Sequence, residues 1–187
     1  EIPSYRADFI HPVDLVEEVA MGYGYNAFEP KAPSVFTRGF VSQRTLLQQD
    51  LEDVLIGHGL QQVATYFTTN PGKHAKSGED APLVRITNPV SEEYDAVRSR
   101  LLPGLLEVLS KNTHAPYPQN LFEIGEVVVH DAGESTRSRT ELHAAATFAH
   151  AQADFSQAAS ILADLMKKMG RSFELEHVDT PRFLPGR

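Results

Sequence analysis

The chain has 187 residues, no cysteine and no tryptophan, and its 25 acidic against 17 basic side chains give a formal net charge of -8. Zero cysteine excludes a disulfide framework, a cysteine zinc ribbon and thiol catalysis, and the acidic balance argues against broad non-specific contact with nucleic-acid phosphates. No run approaches the roughly 18 apolar residues of a membrane span, and the length lets a chain bury roughly two-thirds of its unfolded surface without staples.

The first helix is expected to start after His11. Pro12 suits its first position, where a missing N–H costs nothing, and Val13, Val16, Val19 and Ala20 follow helical spacing. Gly22 and Gly24 end it, and the proline-bearing stretch 26–34 reads as a linker or domain boundary. A second helix is expected over 42–56, capped by Ser42, with Leu47, Leu51, Val54 and Leu55 on one face. Gly57 and Gly59 stop it.

Alternation over 61–68 predicts a strand, the polar stretch 73–82 a hairpin loop, and 83–87 a second strand. A turn at Asn88-Pro89-Val90-Ser91 leads to a helix over 101–112, with Leu105, Leu106 and Leu109 facing inward. Strands are expected over 121–130 and 142–149, joined by a polar connection and paired as a hairpin. Asp154 caps a helix with Gln157 three residues on, and its apolar face is Phe155, Ala158, Leu162, Leu165 and Met169. Gly170 ends that helix, and 173–178 reads as a last strand. The order predicts an α+β fold, an antiparallel sheet with helices packed on one face.

Three constellations bear on chemistry. Asp14, Glu17 and Glu18 share one helix face at i, i+3 and i+4, and Asp8 lies just ahead of that helix. Carboxylates brought together this way repel unless a cation neutralises them, and hard ions such as Mg²⁺ prefer oxygen ligands. On spacing alone, a solvated acidic first turn favoured by the helix dipole is the simpler reading. Arg98 and Arg100 precede a helix, where an Arg binds an anion such as an adenylate phosphate or makes an ion pair. Glu123 alternates with Phe122 and Ile124, so it is solvent-exposed or lines a cleft on the second sheet face. The histidines are scattered with no zincin spacing. No phosphate loop or nucleophile elbow occurs, and Gly22-Tyr23-Gly24 is too short to cradle phosphate.

Arg6-Ala7-Asp8-Phe9-Ile10-His11-Pro12-Val13-Asp14-Leu15-Val16-Glu17-Glu18-Val19-Ala20, followed by Gly22-Tyr23-Gly24-Tyr25-Asn26, resembles the β subunit of phenylalanyl-tRNA synthetase. Asn88-Pro89-Val90-Ser91-Glu92-Glu93-Tyr94, Arg98, Leu101-Leu102-Pro103-Gly104-Leu105-Leu106 and Phe122-Glu123-Ile124-Gly125 match it in the same order, as does Phe183-Leu184-Pro185-Gly186-Arg187. Ile10-His11-Pro12 is similar to the archaeal and eukaryotic cytosolic branch.

The resemblance implies a cytoplasmic α2β2 heterotetramer that attaches phenylalanine to tRNA(Phe) with ATP and Mg²⁺. The active site, with its ATP, lies in the α subunit. It implies that residues 1–30 end a small helix-turn-helix-like domain, that 31–35 are a linker, and that 36–187 are a class II synthetase-like module. That module has the antiparallel sheet without catalytic residues, and it is expected to be incomplete at its C-terminal side. Residue by residue, the family's Mg²⁺ ligands fall on Asp8, Asp14, Glu17 and Glu18. This reverses the simpler reading of that cluster.

The expected role is a non-catalytic structural and subunit-interface module, with the helix over 101–112 and the adjoining turn as interface elements. The alternative is a free-standing class II-like domain binding an adenylate or amino acid through Arg98 and Glu123. A nucleic-acid module centred on the first helix is opposed by its acidic cluster.

Overall fold

The computed structural model describes residues 2–78 and 82–176. The chain divides into two compact units, Glu1–Phe40 and Val41–Arg187.

In the first unit α1 spans Pro12–Tyr23, with Pro12 at its first position. Asp14 Oδ2 accepts the backbone N–H groups of Ile10 and His11, both at 2.7 Å. This fixes the chain entering the helix. Gly24, at φ 95°, turns the chain out of α1 into a 3-10 turn over Tyr25–Ala27. That backbone conformation suits glycine. The apolar stripe expected on α1 is not buried within the unit, and Val19 is 72% exposed. Residues 29–42 carry no regular structure.

The second unit is built on a three-stranded sheet. Strand β1 is Gln61–Gln62, β4 is Gln119–His130 and β5 is Ser138–Ala149. The hairpin of β4 and β5 is antiparallel from Gln119↔Ala149 to His130↔Ser138, and β5 starts earlier than expected. Strand β1 runs parallel to β4, so the sheet is mixed rather than purely antiparallel.

Helices α2 (Gln43–Gly57) and α5 (Phe155–Lys168) cover one sheet face. Ser42 and Asp154 cap them by accepting the N–H groups of Thr45 and Gln157. Their core joins Leu51, Leu55, Leu60 and Ile161 to Phe122 and Ile124 of β4. Ile161 is the buried residue of α5, whereas Phe155, expected on its inward face, is 65% exposed. Leu162 and Leu47 are exposed as well.

The stretch expected as one strand over 61–68 is two short pieces, β1 and β2 (Thr68–Thr69). Strand β2 pairs antiparallel with β3 (Ala96–Val97), which the sequence did not signal. The expected strand 83–87 is an extended segment with a single bridge, Arg85↔Ala96. Part of the expected polar loop 73–82 is instead helical: α3 spans Pro71–Lys76, with Asn70 as its cap and Pro71 at its first position. The Asn-Pro pair was the local signal for it.

Helix α4 spans Leu102–Lys111. It buries Leu105 but leaves Leu106 39% exposed, contrary to the expected face. Gly104 lets its backbone approach Thr65, whose Oγ1 would lie 2.6 Å from any added Cβ. A short 3-10 turn, Glu92–Tyr94, precedes β3. Residues 173–176 form no strand, and the rest of that expected strand lies outside the described residues.

Candidate functional site

The second sheet face carries the polar cluster that bears on chemistry. Phe122 and Ile124 point into the α2–α5 core, so alternation turns Glu123 to the opposite side. There it is buried, with only 3% of its surface exposed, and Arg98 beside it is 7% exposed. Arg98 Nη1 donates to Glu123 Oε1 at 2.6 Å. Thr65 completes the set. Its hydroxyl donates to Glu123 Oε2 at 2.7 Å and its backbone N–H to Oε1 at 3.2 Å. Arg98 Nε donates to the carbonyl of Glu126 at 2.8 Å. The guanidinium also lies 5.7 Å from the centre of the Phe67 ring. Gly125 leaves the space this requires, because a Cβ there would overlap Arg98 Nη2.

Every charge in this cluster therefore has an internal partner. The cleft foreseen as one option for Glu123 exists, but Arg98 fills it. Arg98 and Thr65 also border the depression that Arg100 lines. The second arginine, Arg100, lines a depression of about 340 Å³ with Tyr66, Lys73, Tyr94, Glu107 and Lys111. Glu107 bridges two of its lysines, 2.6 Å from Lys111 Nζ and 3.3 Å from Lys73 Nζ. The hydrogen bond from Lys111, and the one from Lys73 after it, hold the Glu107 carboxyl below its ordinary range.

The four acidic residues lie in the first unit. Asp8 and Glu18 converge on one guanidinium. Arg6 Nη2 donates to Asp8 Oδ2 at 2.7 Å and to Glu18 Oε1 at 2.6 Å, and Arg6 Nε donates to Asp8 Oδ1 at 2.8 Å. The hydrogen bond from Arg6 depresses the Asp8 carboxyl to about 2. Asp14 faces backbone N–H groups, as described, and Glu17 makes no ion pair among the described residues. The donor chemistry suits Mg²⁺, since all four are carboxylates. The arrangement does not: among the described residues no three His, Cys, Asp or Glu side chains are placed to hold a metal ion. Two carboxylates already share an organic cation.

Several histidines find partners, His58 on Asp164 of α5 at 2.9 Å and His143 on Glu141 two residues away at 2.8 Å. Thr65, Gly125 and Arg6 were missed from sequence. Arg6 lies two residues before Asp8, a spacing that signals a local pair. Thr65 carries no such signal, because its partner Glu123 is 58 residues away.

The sequence model of the family described as Phenylalanyl tRNA synthetase beta chain CLM domain matches residues 29–187. The model of the tRNA synthetase B5 domain matches residues 1–25. A protein of Thermococcus kodakarensis is 35% identical over 202 residues, covering 99% of this chain and 35% of the relative. One from Methanocella arvoryzae is 36% identical over 194 residues, covering 100% and 35%. One from Korarchaeum cryptofilum is 38% identical over 189 residues, covering 100% and 34%. Each carries the name phenylalanine–tRNA ligase beta subunit, and the chain spans about a third of their length. Among solved structures, a pyrrolysyl tRNA synthetase from Desulfitobacterium hafniense shares the fold. Its TM-score is 0.53 at 17% identity, over 70% of this chain and 46% of that one. No helix among the described residues is long and apolar enough to cross a membrane. By the match over residues 29–187 and these relatives, the chain belongs to the phenylalanyl-tRNA synthetase β chain family.

Proposed function

We propose that this chain is a non-catalytic structural and subunit-interface region of a phenylalanine–tRNA ligase β subunit. With the α subunit that protein forms a cytoplasmic α2β2 enzyme, which attaches phenylalanine to tRNA(Phe) using ATP. Residues 36–187 are read as a class II synthetase-like module whose sheet is retained for architecture, and residues 1–30 as part of a separate small domain. The carrying observation is the Arg98–Glu123 pair. The two side chains best suited to an adenylate are spent on each other, 2.6 Å apart and buried. A fold can persist while its site is lost.

Helix α4 and the turn before β3 supply the interface. Val90 is fully exposed there, and Leu106 projects from α4. Aspartate at both positions, Val90→Asp with Leu106→Asp, in the complete β subunit is expected to abolish co-purification with the α subunit while the fold survives. Undiminished assembly overturns this placement. Calorimetry of the chain with ATP and phenylalanine is expected to give no heat, and saturable heat would favour the adenylate-binding alternative.

Mg²⁺ at Asp8, Asp14, Glu17 and Glu18 belongs to the same reading. As the side chains stand they do not enclose an ion, so binding there requires Arg6 to release Asp8 and Glu18. Titration of Mg²⁺ into the assembled enzyme, intact against Asp14→Ala, is expected to lose one binding event. Equal binding refutes the assignment.

A further inference from the structure

The depression beside Arg100 continues past Lys111. A second one, of about 390 Å³, lies between α3 and α4 and shares Lys73, Pro103, Glu107 and Lys111 with the first. Together they form one groove. Its charge departs from that of the chain. Lys73, Lys76, Arg98, Arg100 and Lys111 line it against Glu107 alone among the described residues, in a protein of net charge -8. With Arg98 assigned to Glu123 and Lys73 to Glu93, three cations still face that one carboxylate. Lys73 is held in place, 3.3 Å from Glu93 and from Glu107 and 5.2 Å from the centre of the Tyr94 ring. Tyr66 meets Tyr94 edge-on, with ring centres 5.7 Å apart, yet is 78% exposed. Leu106, half-exposed on α4, supplies an apolar wall in the second depression.

We propose that this groove docks an acidic peptide segment of the α subunit, with carboxylates over Lys76, Arg100 and Lys111 and an apolar side chain against Leu106. This rests on the reading of α4 as a subunit interface and names the chemistry that the partner brings to it. Charge complementarity selects an acidic occupant, because a basic groove on an acidic surface steers anions and repels cations. The mixed lining selects a peptide over a nucleic acid. Glu107 borders both depressions and opposes a run of phosphates, which carry a charge at every step. A peptide can space its carboxylates around Glu107 and still offer an apolar side chain to Leu106. Tyrosine and arginine are the residue types that anchor protein interfaces, and Tyr66 and Arg100 are both exposed here. Lys73 is positioned before docking, so little side-chain freedom is lost there.

The complete β subunit is titrated with the α subunit, intact and as the groove variant Lys76→Glu with Lys111→Glu. Lys31→Glu with Lys167→Glu is the control, the same charge change at exposed lysines that line neither depression. The groove variant is expected to bind α at least about tenfold more weakly at low salt, with the difference shrinking at high salt, and the control to match the intact subunit. A photo-crosslinking residue, Tyr66→p-benzoylphenylalanine, in the otherwise intact subunit should capture an acid-rich segment of α. Changing the carboxylates of that segment to lysine should restore assembly of the groove variant. Val90→Asp separates the two readings. If it blocks assembly while the groove variant assembles normally, the groove proposal falls and the interface reading stands. Normal assembly of both overturns both. A cross-link to tRNA, or loss of tRNA binding by the groove variant with assembly unchanged, assigns the groove to phosphate and overturns the proposal. Circular dichroism verifies that the groove variant is folded, and the cross-link tests the proposal without it.

Discussion

Arg98 and Glu123 lie 25 residues apart in the chain and 2.6 Å apart in the fold, with the carboxylate almost wholly buried. Residue 98 directly follows β3, and residue 123 sits mid-strand in β4. Arg98 also accepts the backbone N–H of Val128 through its carbonyl and gives its own N–H to Phe67. Side chain and backbone thus pin the same residue. The pair's importance is better measured by breaking it than by counting its bonds, because a buried partner left alone carries the cost.

Glu123→Ala is expected to destabilise the chain by about 3–5 kcal/mol, since it leaves a buried guanidinium uncompensated. Urea denaturation measures this. Arg98→Met combined with Glu123→Leu should cost less than Glu123→Ala alone, because no buried charge remains. A double variant weaker than the single one would refute this account.

Glycine substitutions should divide by sign. Gly125→Ala drives a methyl into the Arg98 guanidinium and is expected to cost about 1–3 kcal/mol by overpacking. Gly22→Ala, inside α1 where an added Cβ meets nothing within 4 Å, should instead strengthen the helix by about 0.5–1 kcal/mol. Thermal melts of the two variants test the contrast.

Core truncations should separate the observed α2 face from the expected one. Leu55→Ala, on the buried side of α2, opens a void against the sheet and should cost about 2–5 kcal/mol. Leu47→Ala, on the exposed side of α2, should stay within about 0.5 kcal/mol. Chemical denaturation of both, under identical buffer, decides between the two faces.

A pH dependence follows from Glu107. Its folded-state carboxyl titrates below the ordinary value of 4.5, chiefly through the Lys111 hydrogen bond and then that of Lys73. The contribution is therefore fully present above that value and disappears as pH falls through the lower, folded one. NMR titration of the Glu107 side-chain carbon should give a midpoint under 4.5, moving upward in Lys111→Met. The stability difference between the intact chain and Glu107→Gln should vanish at the acid end. Its persistence in acid would mean that packing, rather than charge, is responsible.

Much of the fold was legible because its signals are local. Caps at Ser42 and Asp154, Pro12 at a helix start and glycines at helix ends act within one turn of the chain. The β4–β5 hairpin needed only a short connection. Inward faces were less legible: Leu47, Leu106 and Phe155 fit helical spacing yet are exposed, because spacing names a stripe and only a neighbour buries it. The parallel pairing of β1 and the β2–β3 pair join distant segments, so their short runs carried no readable pattern.

The sequence by itself determined the family, the α+β class, most helix ends and the four carboxylates, since these rest on residue identity and local spacing. Tertiary structure alone decided what the charged residues do. It set Arg98 against Glu123 and Thr65, and closed Asp8 and Glu18 on Arg6. Charges act through distance and burial, and neither is written in the spacing of a single element.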